Sequence, residues 1–139
     1  GVQTCALPIL HYLYKNNLFE HKNKENQQVN EKIKKVITYI GENYKNNVRL
    51  NDVSSIVYMN ENYFCRFFKD NIGMSLTTYI NKYRCEKAAK LLLDSNLKIL
   101  EVAISCGFDN NSYFIRTFKS IKGCTPKEYR RINKAENHS

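Results

Sequence analysis

The 139 residues predict an all-α chain: two helix-turn-helix units joined by a long connecting helix. Three observations predict it. The composition is poor in helix breakers, with five Gly and two Pro, and strand-like alternation is nowhere sustained. Apolar residues recur at helical spacing from Ile33 onward. A stretch of the sequence also occurs twice, fifty residues apart.

The front of the chain reads differently from the rest. Gly1 to Ile9 fit nothing that follows; they match an in-frame translation of a sequencing-library adapter and are expected to be non-native. On that reading an upstream part of the protein is missing. Residues 10–30 are expected to be its remnant plus a linker. Leu10, Leu13, Tyr14, Leu18 and Phe19 make a short apolar stub, and Glu20 to Asn30 is rich in Asn, Gln and Lys around a single apolar Val29. One domain is expected over 31–133 and a C-terminal tail over 134–139.

Within the domain, Ile33, Val36, Ile37, Ile40 and Tyr44 follow the i, i+3, i+4, i+7, i+11 series of an amphipathic helix, which Asn43 to Asn47 ends. A short helix is predicted from about Leu50 to Val57. Asn60 caps the next, whose Phe64, Phe67 and Phe68 share one face, and Gly73 stops it. A longer helix spans about 76–93, with Ile80, Tyr83, Ala88, Leu91 and Leu92 turned inward, and Asp94 to Asn96 breaks it. Two more helices follow, Ile99 to Cys106 and Asn110 to Ile121, and Pro126 opens a last short turn.

The repeat is the most specific signal. Asn62-Tyr63-Phe64-Cys65-Arg66-Phe67-Phe68-Lys69 recurs as Ser112-Tyr113-Phe114-Ile115-Arg116-Thr117-Phe118-Lys119, and the match continues through Gly73 with Gly123, Ser75 with Thr125 and Tyr79 with Tyr129. Upstream, Leu50 to Met59 parallels Ile99 to Phe108. Each copy is a short helix, a tight turn and a longer helix, over about 48–73 and 98–123: the layout whose second helix enters a DNA major groove. In the second copy Ala103 and Gly107 suit a close helix approach and a positive φ. The first copy has Ser54 and Tyr58 there. A Tyr at positive φ costs of order 1 kcal/mol or more, so a differently shaped turn is expected in the first copy.

Opposite the phenylalanines, the first long helix presents Asn62, Cys65, Arg66 and Lys69, and the second presents Ser112, Ile115, Arg116 and Lys119. Spacing i, i+3, i+4, i+7 sets four side chains along one stripe. Arg pairs with guanine O6 and N7, Asn with adenine N6 and N7, and Ile meets a thymine methyl. One such helix is an ordinary polar surface; two copies with Arg and Lys at matching places point to DNA.

Composition agrees and excludes other classes. Lys and Arg number 22 against 13 acids, net +9, of which residues 1–30 carry only +1. That charge fits a polyanion partner, nucleic acid first, or plain solubility. The longest aliphatic run is Leu91 to Leu93, so no membrane span is expected. The five cysteines lie at least 18 positions apart, and His11, His21 and His138 are terminal. No metal site, cofactor or catalytic constellation is therefore expected, and free thiols suit a reducing cytoplasm.

From about Ile33 to Arg131 the chain resembles the DNA-binding domain of the arabinose-regulator (AraC/XylS) family of transcription regulators. The resemblance is carried by Ile99-Leu100-Glu101-Val102-Ala103, Cys106-Gly107-Phe108, Ser112 to Lys119 and Gly123 to Arg130, with Arg84, Ala88 and Leu91-Leu92 fitting the connecting helix. It implies a homeodomain-like, AraC-type fold whose two units bind adjacent major grooves of double-stranded DNA. Seventeen helical residues span ~25 Å, and successive grooves lie ~34 Å apart. By position, base contacts fall to Asn62, Cys65 and Arg66 in the first unit and to Asn111, Ser112, Ile115 and Arg116 in the second. Cys65 departs from the polar residues usual at its place, and Asn111 replaces a frequent Pro. Lys45, Arg49, Lys69 and Lys119 are the expected phosphate contacts, while Arg84 reads equally as a structural ion-pair partner. RNA polymerase is a further implied partner if the protein is an activator, and dimer formation would fall to the missing N-terminal region. A nucleoid-associated cytoplasmic location follows. The rival reading is a non-specific architectural DNA binder, which would share the charge but not the paired Arg and Asn.

Overall fold

A computed structural model describes residues 24–137, which form seven α-helices and no strand: α1 (Lys24–Asn43), α2 (Leu50–Ile56), α3 (Glu61–Ile72), α4 (Leu76–Asp94), α5 (Ile99–Ser105), α6 (Asn111–Lys122) and α7 (Pro126–Asn137). The expected non-native segment and the apolar stub lie outside the described residues, as do 138–139. The helices sort into two compact units. One contains residues 24–43 and Asn47–Ile80; the other contains Tyr44–Asn46 and the chain from Asn81 onward.

Two expectations are corrected at the domain edges. Lys24 to Asn30 are not linker: they are the first turns of α1. Lys, Glu and Gln are good helix formers, no Gly or Pro interrupts them, and Glu25 sits favourably in the first turn. Their polarity means only that these turns face water. At the other end, residues 134–137 continue α7 rather than forming a tail. Lys134 ties that helix down, its Nζ donating to Ser95 O at 3.1 Å and Asn96 Oδ1 at 2.9 Å, while Arg130 Nε donates to Leu92 O at 2.9 Å. These cations meet the exposed carbonyl end of α4, where positive charge is favourable.

In the first unit α1 buries Ile33, Val36 and Ile40, and α3 buries Phe64, Phe67, Phe68 and Ile72. Phe68 stands between Phe64 (centroids 5.9 Å) and Tyr79, which meets it edge-on at 5.6 Å and 82°. The second unit reproduces this group fifty residues on. Phe118 lies 5.7 Å from Phe114 and meets Tyr129 edge-on at 5.4 Å and 83°. Edge-to-face geometry is the favoured approach of such rings. Around it the core contains Cys85, Ala88, Ala89, Leu92, Val102, Ala103, Cys106 and Phe108. The small Cys85 and Ala89 are buried positions that periodicity did not single out.

Capping follows the same repeat. Asn60 and Asn110 side chains accept from Tyr63 N and Tyr113 N at 2.8 and 2.9 Å, each satisfying a donor at a helix start. Gly73 and Gly123, at φ 88° and 83°, close α3 and α6 by donating to Lys69 O and Lys119 O. Ser75 and Thr125 then accept from Thr78 N and Glu128 N at the starts of α4 and α7.

The turn between the two helices of the motif has one shape in both copies, contrary to expectation. Tyr58 adopts φ +57°, the positive φ that Gly107 takes at +95°. Val57, Tyr58 and Met59 N–H groups donate to Ser54, Ser55 and Ser54 carbonyls; Cys106, Gly107 and Phe108 donate to Ala103, Ile104 and Ala103 in the same pattern. What differs is the surroundings. Tyr58 is 94% exposed, so its side chain stands almost wholly in solvent. A Cβ on Gly107 would lie 2.2 Å from Tyr44 O, so glycine is required there by close approach as well as by φ.

Candidate nucleic-acid interface

The faces of α3 and α6 are set by the rings they bury. With Phe64, Phe67 and Phe68 inward, Asn62, Cys65, Arg66 and Lys69 are all exposed. With Phe114 and Phe118 inward, Asn111, Ser112, Arg116 and Lys119 are exposed. Each unit therefore carries, on one accessible helical stripe, a guanidinium and an ammonium three residues apart. Lys69 and Lys119 also sit in the last turn of their helices, where a cation suits the dipole. At the start of α6 two adjacent asparagines divide the work: Asn110 caps the helix and Asn111 is the first helical residue, exposed beyond the cap.

Ile115 departs from the pattern. It is half-buried and packs against the second unit's core, so much of its surface is committed inward, whereas its counterpart Cys65 is exposed. The remaining candidates for phosphate contact separate. Arg49 is exposed at the N-cap of α2 in the first unit. Lys45 is exposed too, but Tyr44–Asn46 belong to the second unit, which sequence order did not suggest.

Arg84 is committed to backbone carbonyls. Its Nε donates to Tyr44 O and its Nη2 to Asn46 O, each at 2.8 Å. The guanidinium lies 5.9 Å over the Phe108 ring. Burial pulls its pKa below the usual range, and the nearby Asp109, Tyr113 and Cys106 act in the opposite direction. Lys122 pairs with Glu86 with both side chains largely buried, tying the end of α6 to α4.

Sequence reasoning also missed two tyrosines at the helix starts. Tyr113 Oη accepts from Asn81 Nδ2 at 2.8 Å. Tyr63, at the matching place, is 54% exposed and lines a shallow groove with Arg66, Phe67, Asp70 and Asn71. The signal was in the repeat, which pairs Tyr63 with Tyr113.

Among the described residues, no cluster of three His, Cys, Asp or Glu side chains is placed to hold a metal ion. Burial pushes the Cys85 thiol up to about 12 and the Cys106 thiol to about 11. No described helix is long and apolar enough to cross a membrane.

A family model described as a helix-turn-helix domain matches residues 53–132, covering most of the first motif, the helix that follows it and the second motif. The chain belongs to the AraC family. Its AraC-type domain is 34% identical over 107 residues to the regulatory protein PocR of Salmonella typhimurium strain LT2, covering 77% of this chain and 35% of that protein. It is 30% identical over 113 residues to the melibiose operon regulatory protein of Escherichia coli K12, covering 81% and 37%. Among solved structures, the C-terminal domain of the two-component response regulator yesN from Fusobacterium nucleatum subsp. nucleatum superposes with a TM-score of 0.67 at 35% identity, covering 70% of this chain and 95% of that one. The chain thus spans little more than a third of the length of these two curated relatives.

Proposed function

We propose that this AraC-type domain binds double-stranded DNA sequence-specifically and so regulates transcription, with α3 and α6 each reading a major groove. Arg66 and Arg116 take guanine edges, Asn62, Asn111 and Ser112 take neighbouring base edges, and Cys65 and the outer part of Ile115 meet thymine methyls. Lys45, Arg49, Lys69 and Lys119 contact phosphates and set register. The observation that carries this reading is the duplication at matched places: each unit exposes an Arg and a Lys on the face opposite its buried phenylalanines. PocR and the melibiose operon protein are named as regulators, which supports a regulatory role. Recruitment of RNA polymerase, and dimerisation through further chain, belong to this proposal as functions of the whole protein.

The test is affinity for a selected duplex against random duplex across a salt series. A specific regulator holds a preference of ~10³ or more. An architectural binder shows the salt slope alone, and that result would overturn the proposal.

A further inference from the structure

The segment between α1 and α2 sits in a seat built by three residues distant in sequence. Arg84 forks onto the carbonyls on either side of Lys45, those of Tyr44 and Asn46, at 2.8 Å each. Gly107 supplies the floor: with no side chain there, Tyr44 O occupies the space a Cβ would fill, and Lys45 Cα lies 3.1 Å from that point. Tyr83 packs its ring 5.1 Å from that of Tyr44, completing one wall. Both carbonyls flanking residue 45 are thereby held, so its backbone is fixed while its side chain stays exposed. Lys45 Nζ lies 5.9 Å from the Tyr44 ring centroid, a further restraint on the ammonium.

The seat lies at the turn that leads into α6. Gly107 is in that turn, and Phe108, under the Arg84 guanidinium, packs on Tyr113 of the first turn of α6 (centroids 6.2 Å). DNA backbone passes close to the start of a helix that reads a groove. A planar fork bonding two carbonyls at fixed separation is something Arg does and Lys does not. We infer that Arg84 is a positioning residue for DNA binding: by clamping Tyr44 and Asn46 it sets Lys45 as a phosphate contact of the second unit, beside α6. This rests on the reading of the chain as a DNA-binding domain.

The experiment is a two-residue cycle in the full chain, reading the slope of log affinity against log salt on one duplex. Each lost phosphate contact flattens that slope by ~0.9. Lys45→Ala is expected to flatten it by that amount. Arg84→Lys keeps the charge and loses the fork; it is expected to flatten the slope equally in the native background and to add nothing in the Lys45→Ala background. Partial unfolding would lower the active fraction, followed by circular dichroism, without moving the slope of the competent molecules. Arg84→Gln repeats the cycle should the lysine variant unfold, because any direct contact by the Arg84 charge would persist when Lys45 is absent. An unchanged slope in Lys45→Ala overturns the inference while leaving DNA binding intact. A flattened slope in Lys45→Ala with none in the Arg84 variants overturns the clamp's role. Absence of salt-dependent binding by the unaltered chain overturns the proposed function itself, and the inference with it.

Discussion

Arg66 and Arg116 occupy matched places on exposed helical stripes, and a bidentate guanidinium–guanine pair contributes about 1–3 kcal/mol of discrimination. Arg66→Ala or Arg116→Ala should each relax selection at one base pair by that amount. Lys69→Ala should weaken every duplex alike, because a phosphate carries no sequence information. Competition binding with single-base variants of a selected site separates the two behaviours; an unchanged motif in both Arg variants would remove them from base reading. The buried thiols make a second prediction at this scale. Cys85 and Cys106, held near 12 and 11 against an ordinary 9.0, stay protonated in the folded chain at pH values where the unfolded chain ionises them. The folded state then binds more protons than the unfolded one, so stability falls as pH rises. The stability these thiols support is intact below about pH 9 and is lost as pH climbs toward 11–12. Thermal midpoints from pH 8 upward should drop more steeply in the native chain than in Cys85→Ala, and parallel curves would contradict the assignment. Residue roles were the least legible part of the sequence. The exposed stripes of Asn62, Cys65, Arg66 and Lys69 and of Ser112, Arg116 and Lys119 were legible from spacing, and Asn111 only from the family resemblance. The role of Arg84 was not, since its partners are backbone carbonyls about forty positions away that have no sequence signature. The repeat sets Ile115 outward with Cys65, yet Ile115 packs against the second unit's core.

At the scale of elements, the repeat was the reliable guide. It pairs Gly73 with Gly123 and Tyr79 with Tyr129, and the structure gives each pair the same cap or ring contact. Composition is the weaker guide: the polarity of Lys24 to Asn30 suits a linker, but solvated helical turns are equally polar, and these residues are helical. Tyr58 shows the limit of propensity. A backbone shape imposed by the motif's hydrogen bonds overrides the residue's preference wherever its side chain has open space. The two turns should therefore answer oppositely to substitution. Tyr58→Gly relieves left-handed strain and should hold or raise stability, by up to ~1 kcal/mol. Gly107→Ala puts a methyl group 2.2 Å from Tyr44 O and should lower it. Thermal denaturation of the two variants checks this, and equal tolerance at both turns would show that Gly107 is not confined as described.

For the molecule as a whole, the fold class and the presence of two motifs were legible because apolar periodicity, caps and the repeat all agree. The function class was legible from basic charge joined to matched exposed stripes on the two longer helices. The target sequence was not, because the order of bases depends on how each side chain meets an edge, and many side-chain types satisfy one base. The central claim is that two units each read a groove. Selection of binding sites from a randomised duplex library tests it most directly. Two specified blocks about one helical turn, ~10 bp, apart are expected, with Arg66→Ala degrading one block and Arg116→Ala the other. A single specified block, unaffected by one of the two substitutions, would contradict it.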